Sequence, residues 1–83
     1  MLEKAKQLAS QELSRLSGRE IKSEDCYVVW FSKTLQHWKA LVGTNQIQSD
    51  EKCGGYVEVT HNGDKAETYV DVYAKVSNRA IKD

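Results

Sequence analysis

Two histidines and two cysteines are the side chains in this 83-residue sequence with the clearest capacity for chemistry. A thiol beside an imidazole can act as a nucleophile, and the same side chains are common zinc ligands. The four residues occur singly along the chain, whereas zinc ligands usually come in closely spaced pairs. We therefore predict no catalytic residue, no metal site and no cofactor. Cys26 is interpreted as a buried strand residue and Cys53 as an exposed loop residue.

Carboxylates are the other candidates, because a pair of them can act as general acid and base. Those considered are Asp50, Glu51, Glu58, Glu67 and Asp71. Charges that alternate with apolar residues along a strand are typical of a solvated sheet face. We therefore predict that the protein is not an enzyme.

The composition indicates one small globular domain, residues 1–83, with 40% hydrophobic and 29% charged residues. Twelve basic residues balance twelve acidic ones, so the total lacks the basic excess that phosphate binding requires. The apolar runs are too short to span a bilayer, and the N-terminus does not resemble a secretory signal. We expect a cytoplasmic protein without a membrane role, for which nucleic acid is the weaker class of partner.

An amphipathic helix is predicted from about Leu2 to Ser17, followed by Gly18 as a left-handed cap. Its apolar residues recur at steps of three and four, which places them on one side: Leu2, Ala5, Leu8, Ala9, Leu13 and Leu16. A helix with one apolar side is expected to lie across a sheet, with Ile21 tucked beneath it.

The stretch from Cys26 to Val42 contains both tryptophans and the only phenylalanine. It predicts two adjacent antiparallel strands at the centre of the sheet, with a turn between residues 32 and 36. Trp30 and Phe31 are expected to contact the core on opposite faces of a central strand. Trp38 is expected to lie near solvent.

Residues 56–61 alternate strictly and predict a third strand. Asn62-Gly63 then predicts a tight turn, with positive φ at both residues. Residues 65–77 fit either a strand or a helix, since Asp64 and Glu67 resemble a helix capping box. Their β-branched and aromatic content favours the strand.

The predicted fold is α+β: an N-terminal amphipathic helix packed on a four-stranded antiparallel meander sheet. The order α-β-β-β-β resembles the cystatin or propeptide arrangement, which says little about activity. If the last element is a helix, the sheet has three strands instead.

Strand alternation also predicts what the two sheet faces carry. Val57, Val59, Val70, Val72 and Val76 are expected to point towards the helix. Tyrosines among charged and hydroxyl side chains then share the other face, a composition typical of protein interfaces, although cross-strand tyrosine pairs also simply stabilise sheets. The predicted interaction surface consists of Tyr56, Glu58, Thr60, Tyr69, Asp71, Tyr73 and Lys75, together with Trp38.

A family resemblance covers residues 27–81, whereas the helix sequence shows no family-specific pattern. It is carried by two segments, YVVWFSKTLQHWKALVGT and YVEVTHNGDKAETYVDVY. They resemble a small family from phages and prophages of Gram-positive bacteria, a domain of unknown function. The resemblance implies a setting and an accessory role on a host or phage protein, and it implies no catalytic residues.

The predicted function is that of a small cytoplasmic, phage-derived protein-interaction module without catalytic activity. It would bind a host or phage protein, or form a homodimer through the open sheet face. A narrower alternative is an inhibitor of a host defence system. An alternative of another class is single-stranded nucleic-acid binding through the aromatic sheet face.

Overall fold

The computed structural model describes residues 2–46, 55–74 and 79–82. One antiparallel sheet, with strand order β1-β2-β3-β4, has an N-terminal helix across one face. The predicted α+β fold and the α-β-β-β-β order are confirmed. A single 3-10 turn, Ser23–Asp25, leads into the first strand. The elements are α1 (Leu2–Ser17), β1 (Cys26–Thr34), β2 (His37–Thr44), β3 (Tyr56–Asn62) and β4 (Glu67–Tyr73).

The helix packs on the sheet through small residues. Ala5, Ala9 and Leu13 are fully buried, and the two alanines let the helix backbone approach the strands closely. Leu2 and Leu16, at the two ends of the predicted apolar side, remain nearly half exposed. Within the described residues, no helix has the length and apolar content needed to cross a membrane.

The end of the helix is tied to the entry into β1. Gly18 has φ of 73° and donates its N–H to the Ser14 carbonyl at 3.1 Å, which confirms the predicted cap. The Ser14 hydroxyl accepts the Ile21 N–H at 2.8 Å and donates to the Ile21 carbonyl at 3.0 Å. Ile21 and Cys26 are both buried, as predicted, so the chain crosses under the helix in a fixed position.

The core lies between α1 and the two central strands. Its fully buried strand residues are Ala40, Val42, Val57 and Val59. Val70 and Val72 of β4 are partly buried against them. The predicted inward orientation of the four described valines is therefore confirmed, while Val76 lies outside the described residues.

The first strand is an edge strand, whereas the sequence predicted a central one. Its register with β2 shifts between Val28 and Trp30, which marks a bulge at Val29. Because a bulge adds one residue to one strand, Tyr27 and Trp30 both face away from the helix. The prediction that Trp30 contacts the core was wrong: it is 41% exposed. Phe31 packs against the core, as predicted.

Both hairpin turns lie where the sequence predicts them, but the second differs in its backbone conformation. Leu35 and Gln36 connect β1 to β2 inside the predicted range, and Leu35 takes φ of 56°. The chain reverses after Asn62, as predicted, and Asn62 pairs with Glu67 as the last residue of β3. The predicted positive φ at Asn62 and Gly63 was wrong, because positive φ falls at Ala66 instead. Residues 63–66 form the connection, and the Asn62 side chain accepts the N–H groups of residues 64 and 65 at 3.1 and 3.3 Å.

The last described element is a strand, Glu67–Tyr73. The choice between strand and helix is therefore settled for this part of residues 65–77. Cross-strand packing of Val70 and Val72 on the core outweighs the local capping signal at Asp64 and Glu67.

Candidate interaction surface

The sheet face that α1 leaves uncovered is called here the open face. All four tyrosines and one of the two tryptophans lie on it. Strand by strand, its residues are Tyr27, Trp30, Ser32 and Thr34; His37, Lys39, Leu41 and Gly43; Tyr56, Glu58, Thr60 and Asn62; Glu67, Tyr69, Asp71 and Tyr73.

Six of the predicted interaction residues are brought together on the open face. They are Tyr56, Glu58, Thr60, Tyr69, Asp71 and Tyr73. Lys75 lies outside the described residues. Trp38 does not belong to this face, because it points towards the helix and is only 6% exposed.

The burial of Trp38 corrects the prediction that it lies near solvent. Its ring stacks on His61 at 5.5 Å between ring centroids and lies 6.2 Å from Phe31. Strand alternation explains the error, because the neighbouring residue Lys39 occupies the open face instead.

Three tyrosines form a row across one end of the open face. Tyr27, Gly43, Tyr56 and Tyr73 are in register over the four strands. The Tyr27 ring lies over Gly43, where a Cβ atom would be 2.8 Å from the ring Cζ. A hydrogen bond with Tyr56 is the main reason that the pKa of Tyr27 is raised. The missing side chain at Gly43 thus lets the Tyr27 ring reach across β2.

Carboxylates lie between the tyrosines. Glu58 and Asp71 are directly opposite each other, an arrangement of like charges that destabilises a sheet. The Lys39 ammonium lies 3.7 Å from Glu58 and offsets part of this repulsion. The Tyr73 hydroxyl donates to Glu58 at 3.4 Å. The pKa of Tyr73 is raised, first by the charge of Glu58, then by desolvation and by the charge of Asp71.

A third carboxylate makes the open face acidic. The Tyr69 hydroxyl donates to Glu67, and this hydrogen bond is the main reason that the pKa of Tyr69 is raised. Within the described residues, the open face therefore carries three carboxylates, Glu58, Glu67 and Asp71, against one lysine, Lys39.

The other end of the open face contains a depression of about 480 Å³, called here the trough. Trp30 on β1 and Tyr69 on β4 line its two sides. Shorter side chains, those of Ser32, Thr34 and Thr60, also line it. Ser32 and Thr34 follow Trp30 on β1, and Thr60 is opposite Tyr69, so each large ring has small hydroxyl residues beside it, with Lys39 between them on β2.

The two hairpin turns meet beside the trough. Gln36 donates its side-chain amide to Asp64 at 2.8 Å, and the Gly63 N–H donates to Nδ1 of His37 at 3.3 Å. The His37 Nε2 atom lies 3.5 Å from Asp64. A Cβ atom at Gly63 would lie 2.2 Å from Cγ of Gln36, so the contact between the turns requires glycine at this position.

Cys26 and His37, two of the groups considered for catalysis, lie apart. Cys26 is opposite Thr44 at one end of the first hairpin, and His37 is opposite Thr34 at the other. Burial is the main cause of the raised pKa of Cys26, which disfavours the nucleophilic thiolate. His61 shares a hydrogen bond of 2.9 Å with the Thr68 hydroxyl.

Metal-ligating groups do not converge within residues 2–46, 55–74 and 79–82: no three His, Cys, Asp or Glu side chains there are placed to hold an ion. Cys53, Asp50 and Glu51 lie outside the described residues, so the structure places no thiol or carboxylate from that loop.

Sequence reasoning missed the contribution of the first hairpin to the open face. Tyr27 and Trp30 are an odd number of residues apart, so simple alternation assigns them to opposite faces. The bulge at Val29 cancels that difference. Gly43 is the one local signal, since a glycine inside a strand often marks the close approach of another group.

Comparison with known proteins gives one match. Among curated proteins and among solved structures, nothing matches the sequence. A model for a family of unknown function (DUF6275) matches residues 2–83, which includes the helix as well as the sheet. Because this match extends over nearly the whole chain, the protein belongs to the DUF6275 family, a family of unknown function.

Proposed function

We propose that this protein is an interaction module that binds a partner protein through its open face and has no catalytic activity. The observation that carries the proposal is the exposure of five aromatic side chains on one sheet face. Tyr27, Trp30, Tyr56, Tyr69 and Tyr73 are between 40% and 51% exposed. Tyrosine and tryptophan are enriched among the residues that dominate binding energy at protein interfaces.

The exposed aromatic area is large enough to form much of a protein interface. At about 200 Å² for each side chain, the exposed parts of the five rings amount to roughly 450 Å². A typical interface buries about 800 Å² on each partner, so the rings alone supply more than half of that area. The largest apolar patch on a typical monomer has a similar area and is often functional.

The charge of the open face favours a basic partner. Three carboxylates against Lys39 attract lysine and arginine side chains, and aromatic rings also bind such cations on their faces. A second copy of the chain, bound face to face, would place like charges against each other. We therefore propose a different, basic protein as the partner, ahead of a homodimer through the open face.

The state of Cys26 supports a role without catalysis. Cys26 is only 6% exposed, and its Sγ atom donates to the Lys22 carbonyl at 3.6 Å. Burial raises its pKa, which is the reverse of what an activated nucleophile needs.

The test is partner capture followed by reconstitution. The full chain is used as bait in lysate of its source cells, and each captured protein is identified, purified and titrated against the bait. The double variant Tyr56→Ser/Tyr73→Ser should weaken binding at least tenfold, because it removes two of the aromatic contacts. Gln11→Ala on the outer side of α1 is the matched control and should leave the affinity unchanged.

Two results would count against the proposal. One is a purified partner that binds the double variant and the native chain equally well. The other is the absence of any reconstituted partner together with a chain that light scattering shows to be monomeric at high concentration. A dimer lost in the double variant would instead identify a second copy as the occupant.

The proposed setting is cytoplasmic and phage-derived, following the resemblance of the two strand-forming segments. Inhibition of a host defence system is a narrower form of the same proposal. Expression of the protein in strains with defined defence systems should then raise phage plating on at least one of them. Unchanged plating on every defended strain would remove this narrower form.

Nucleic-acid binding is the alternative from another class, supported by the exposed rings on which bases can stack. The carboxylates Glu58, Glu67 and Asp71 count against it, because they would repel the phosphates next to any base stacked on these rings. Gel-shift titration with single-stranded probes at low salt is the direct test, and no shift is expected.

A further inference from the structure

Hydroxyl groups with unused hydrogen-bonding capacity converge on the trough. Ser32, Thr34 and Thr60 line it, and within the described residues no protein hydrogen bond engages their hydroxyls. Elsewhere, by contrast, the hydroxyls of Thr44 and Thr68 are both hydrogen-bonded. Each free hydroxyl donates one hydrogen bond and accepts two. A ligand that carries several hydroxyls of its own would find matching partners here.

The two sides of the trough supply apolar contact. Trp30 and Tyr69 are 41% and 42% exposed, so much of each ring surface remains accessible. The Tyr69 hydroxyl donates a hydrogen bond to Glu67 on the same strand. The volume of 480 Å³ lies within the usual range for small-molecule sites. The trough is therefore suited to a ligand with both an apolar surface and hydroxyl groups.

The charges around the trough favour a neutral ligand. Lys39 lines it, but its ammonium lies 3.7 Å from Glu58, which offsets its charge. His37 accepts the Gly63 N–H at Nδ1, and its Nε2 atom lies 3.5 Å from Asp64, so both ring nitrogens already have neighbours. An anionic ligand would gain little from Lys39, because its ammonium is already paired with Glu58.

We propose that the trough binds a short neutral oligosaccharide. Sugar rings present C–H surfaces that pack on Trp30 and Tyr69, and their hydroxyls bond to Ser32, Thr34 and Thr60. The two aromatic residues are separated by three strand spacings, about 14 Å, so more than one sugar ring is needed to reach both. This site occupies the opposite end of the open face from the row of Tyr27, Tyr56 and Tyr73.

The experiment is an NMR titration of the isotope-labelled chain with three neutral tetrasaccharides: cellotetraose, maltotetraose and the tetramer of N-acetylglucosamine. At least one should shift the Trp30 indole N–H and the Thr60 amide saturably at millimolar concentration or below. The amide of Leu13, which is buried in the core and does not line the trough, should not move. The corresponding monosaccharide should bind at least tenfold more weakly, because it reaches only one ring.

Two variants separate direct contact from loss of folding. Trp30→Ala should weaken binding about tenfold, and Thr60→Val, which keeps the side-chain shape but removes the hydroxyl, should weaken it several-fold. Tyr73→Phe lies outside the trough and should bind like the native chain. Each variant is first checked for a dispersed spectrum with the Trp38 indole in its native position.

The proposal is overturned if none of the three tetrasaccharides gives saturable shifts. It is also overturned if the Trp30→Ala and native chains bind equally well, or if tetragalacturonic acid or the nucleoside uridine binds more tightly than every neutral tetrasaccharide. These results would leave the proposed protein partner untouched, since capture of that partner is measured separately.

Discussion

Gly43 and Gly63 each lie so close to a neighbouring residue that a Cβ atom would collide with it. The colliding atoms differ between the two positions. At Gly43 the neighbour is the far end of the Tyr27 ring, which can swing away into solvent. At Gly63 the neighbours include the Gln36 carbonyl oxygen, 2.4 Å from a Cβ atom, and that backbone cannot move alone. Neither glycine has positive φ, so the requirement is steric.

Alanine at the two positions should therefore have unequal effects. Gly63→Ala should destabilise the protein by about 2 kcal/mol, because it forces the two hairpin turns apart. Gly43→Ala should change the free energy of unfolding by less than about 1 kcal/mol, since the displaced ring is balanced by the better strand propensity of alanine. Urea denaturation measures both, and a larger cost at Gly43 would contradict this steric comparison.

The tyrosine hydroxyls predict the alkaline behaviour of the protein. The pKa values of Tyr69 and Tyr73 are raised above their ordinary value of about 10, mainly by the hydrogen bond to Glu67 and by the charge of Glu58. A raised pKa in the folded state stabilises the fold below pH 10, and this contribution is lost as the pH rises through the raised values.

Ultraviolet titration of tyrosinate should show the two groups directly. Glu67→Gln should lower the pKa of Tyr69, and Glu58→Gln should lower that of Tyr73, with a smaller loss of stability above pH 10 in each variant. Asp64→Asn is the control, because Asp64 contacts Gln36 and His37 instead of a tyrosine. Identical titration curves for all variants would show that these carboxylates do not act on the hydroxyls.

At the scale of elements, the fit of α1 on the sheet depends on its small residues. Ala9 is fully buried, so a larger side chain there must push the helix away from the strands. Ala9→Leu should destabilise the protein by about 2 kcal/mol. Gln11→Leu on the exposed side should change stability by less than about 0.5 kcal/mol. Thermal and urea unfolding of the pair gives the comparison, and equal stability would mean that the helix packs loosely.

The turn between β1 and β2 contains a strained residue. Leu35 has φ of 56°, which is unfavourable for leucine, and its side chain is 84% exposed. Glycine takes this conformation at no steric cost, so Leu35→Gly should stabilise the protein by about 1 kcal/mol. Thr34→Gly, one residue earlier in the strand, should instead destabilise it by a similar amount. If both substitutions destabilise, the exposed leucine makes a stabilising contact that outweighs its backbone strain.

Local patterns in the sequence predicted the elements well where one physical cause dominates. Three-and-four spacing with a glycine cap defined α1, and strict alternation placed Tyr56, Glu58 and Thr60 on the open face. The errors arise where distant contacts decide. The bulge at Val29 reversed the face of Trp30. In the turn after β3, the Asn62 side chain accepts a backbone N–H, and positive φ falls at Ala66 instead of Asn62 and Gly63. The trough could not be predicted, since it depends on the register of all four strands.

At the scale of the whole molecule, stability should be concentrated in the two central strands. They contribute the buried residues Ala40, Val42, Val57 and Val59, and each is bonded on both sides. Native-state hydrogen exchange should therefore be slowest in β2 and β3 and faster along β1 and β4. Equally slow exchange throughout β1 would indicate that another chain covers it in solution.

The bulge at Val29 has a further consequence for how the molecule avoids aggregation. An outermost strand exposes unpaired backbone groups that recruit strands from other chains, and charged side chains or bulges suppress this. Glu67 and Asp71 provide charges on β4, whereas residues 26–32 of β1 carry none. Val29 itself is 46% exposed and interrupts the regular pairing of β1 with β2.

Deletion of Val29 would keep Val28 opposite Val42 and Trp30 opposite Leu41, so the ladder becomes continuous and the fold is retained. The straightened strand should then template pairing between molecules, seen as concentration-dependent oligomers or fibrils by light scattering. Adding Ser32→Lys to the deletion should restore dispersed molecules, because a lysine on the rim opposes strand addition. The extra residue Val29 would thus prevent strand-to-strand polymerisation of an aromatic-rich sheet. If the variant without Val29 stays dispersed, another feature of the molecule prevents polymerisation.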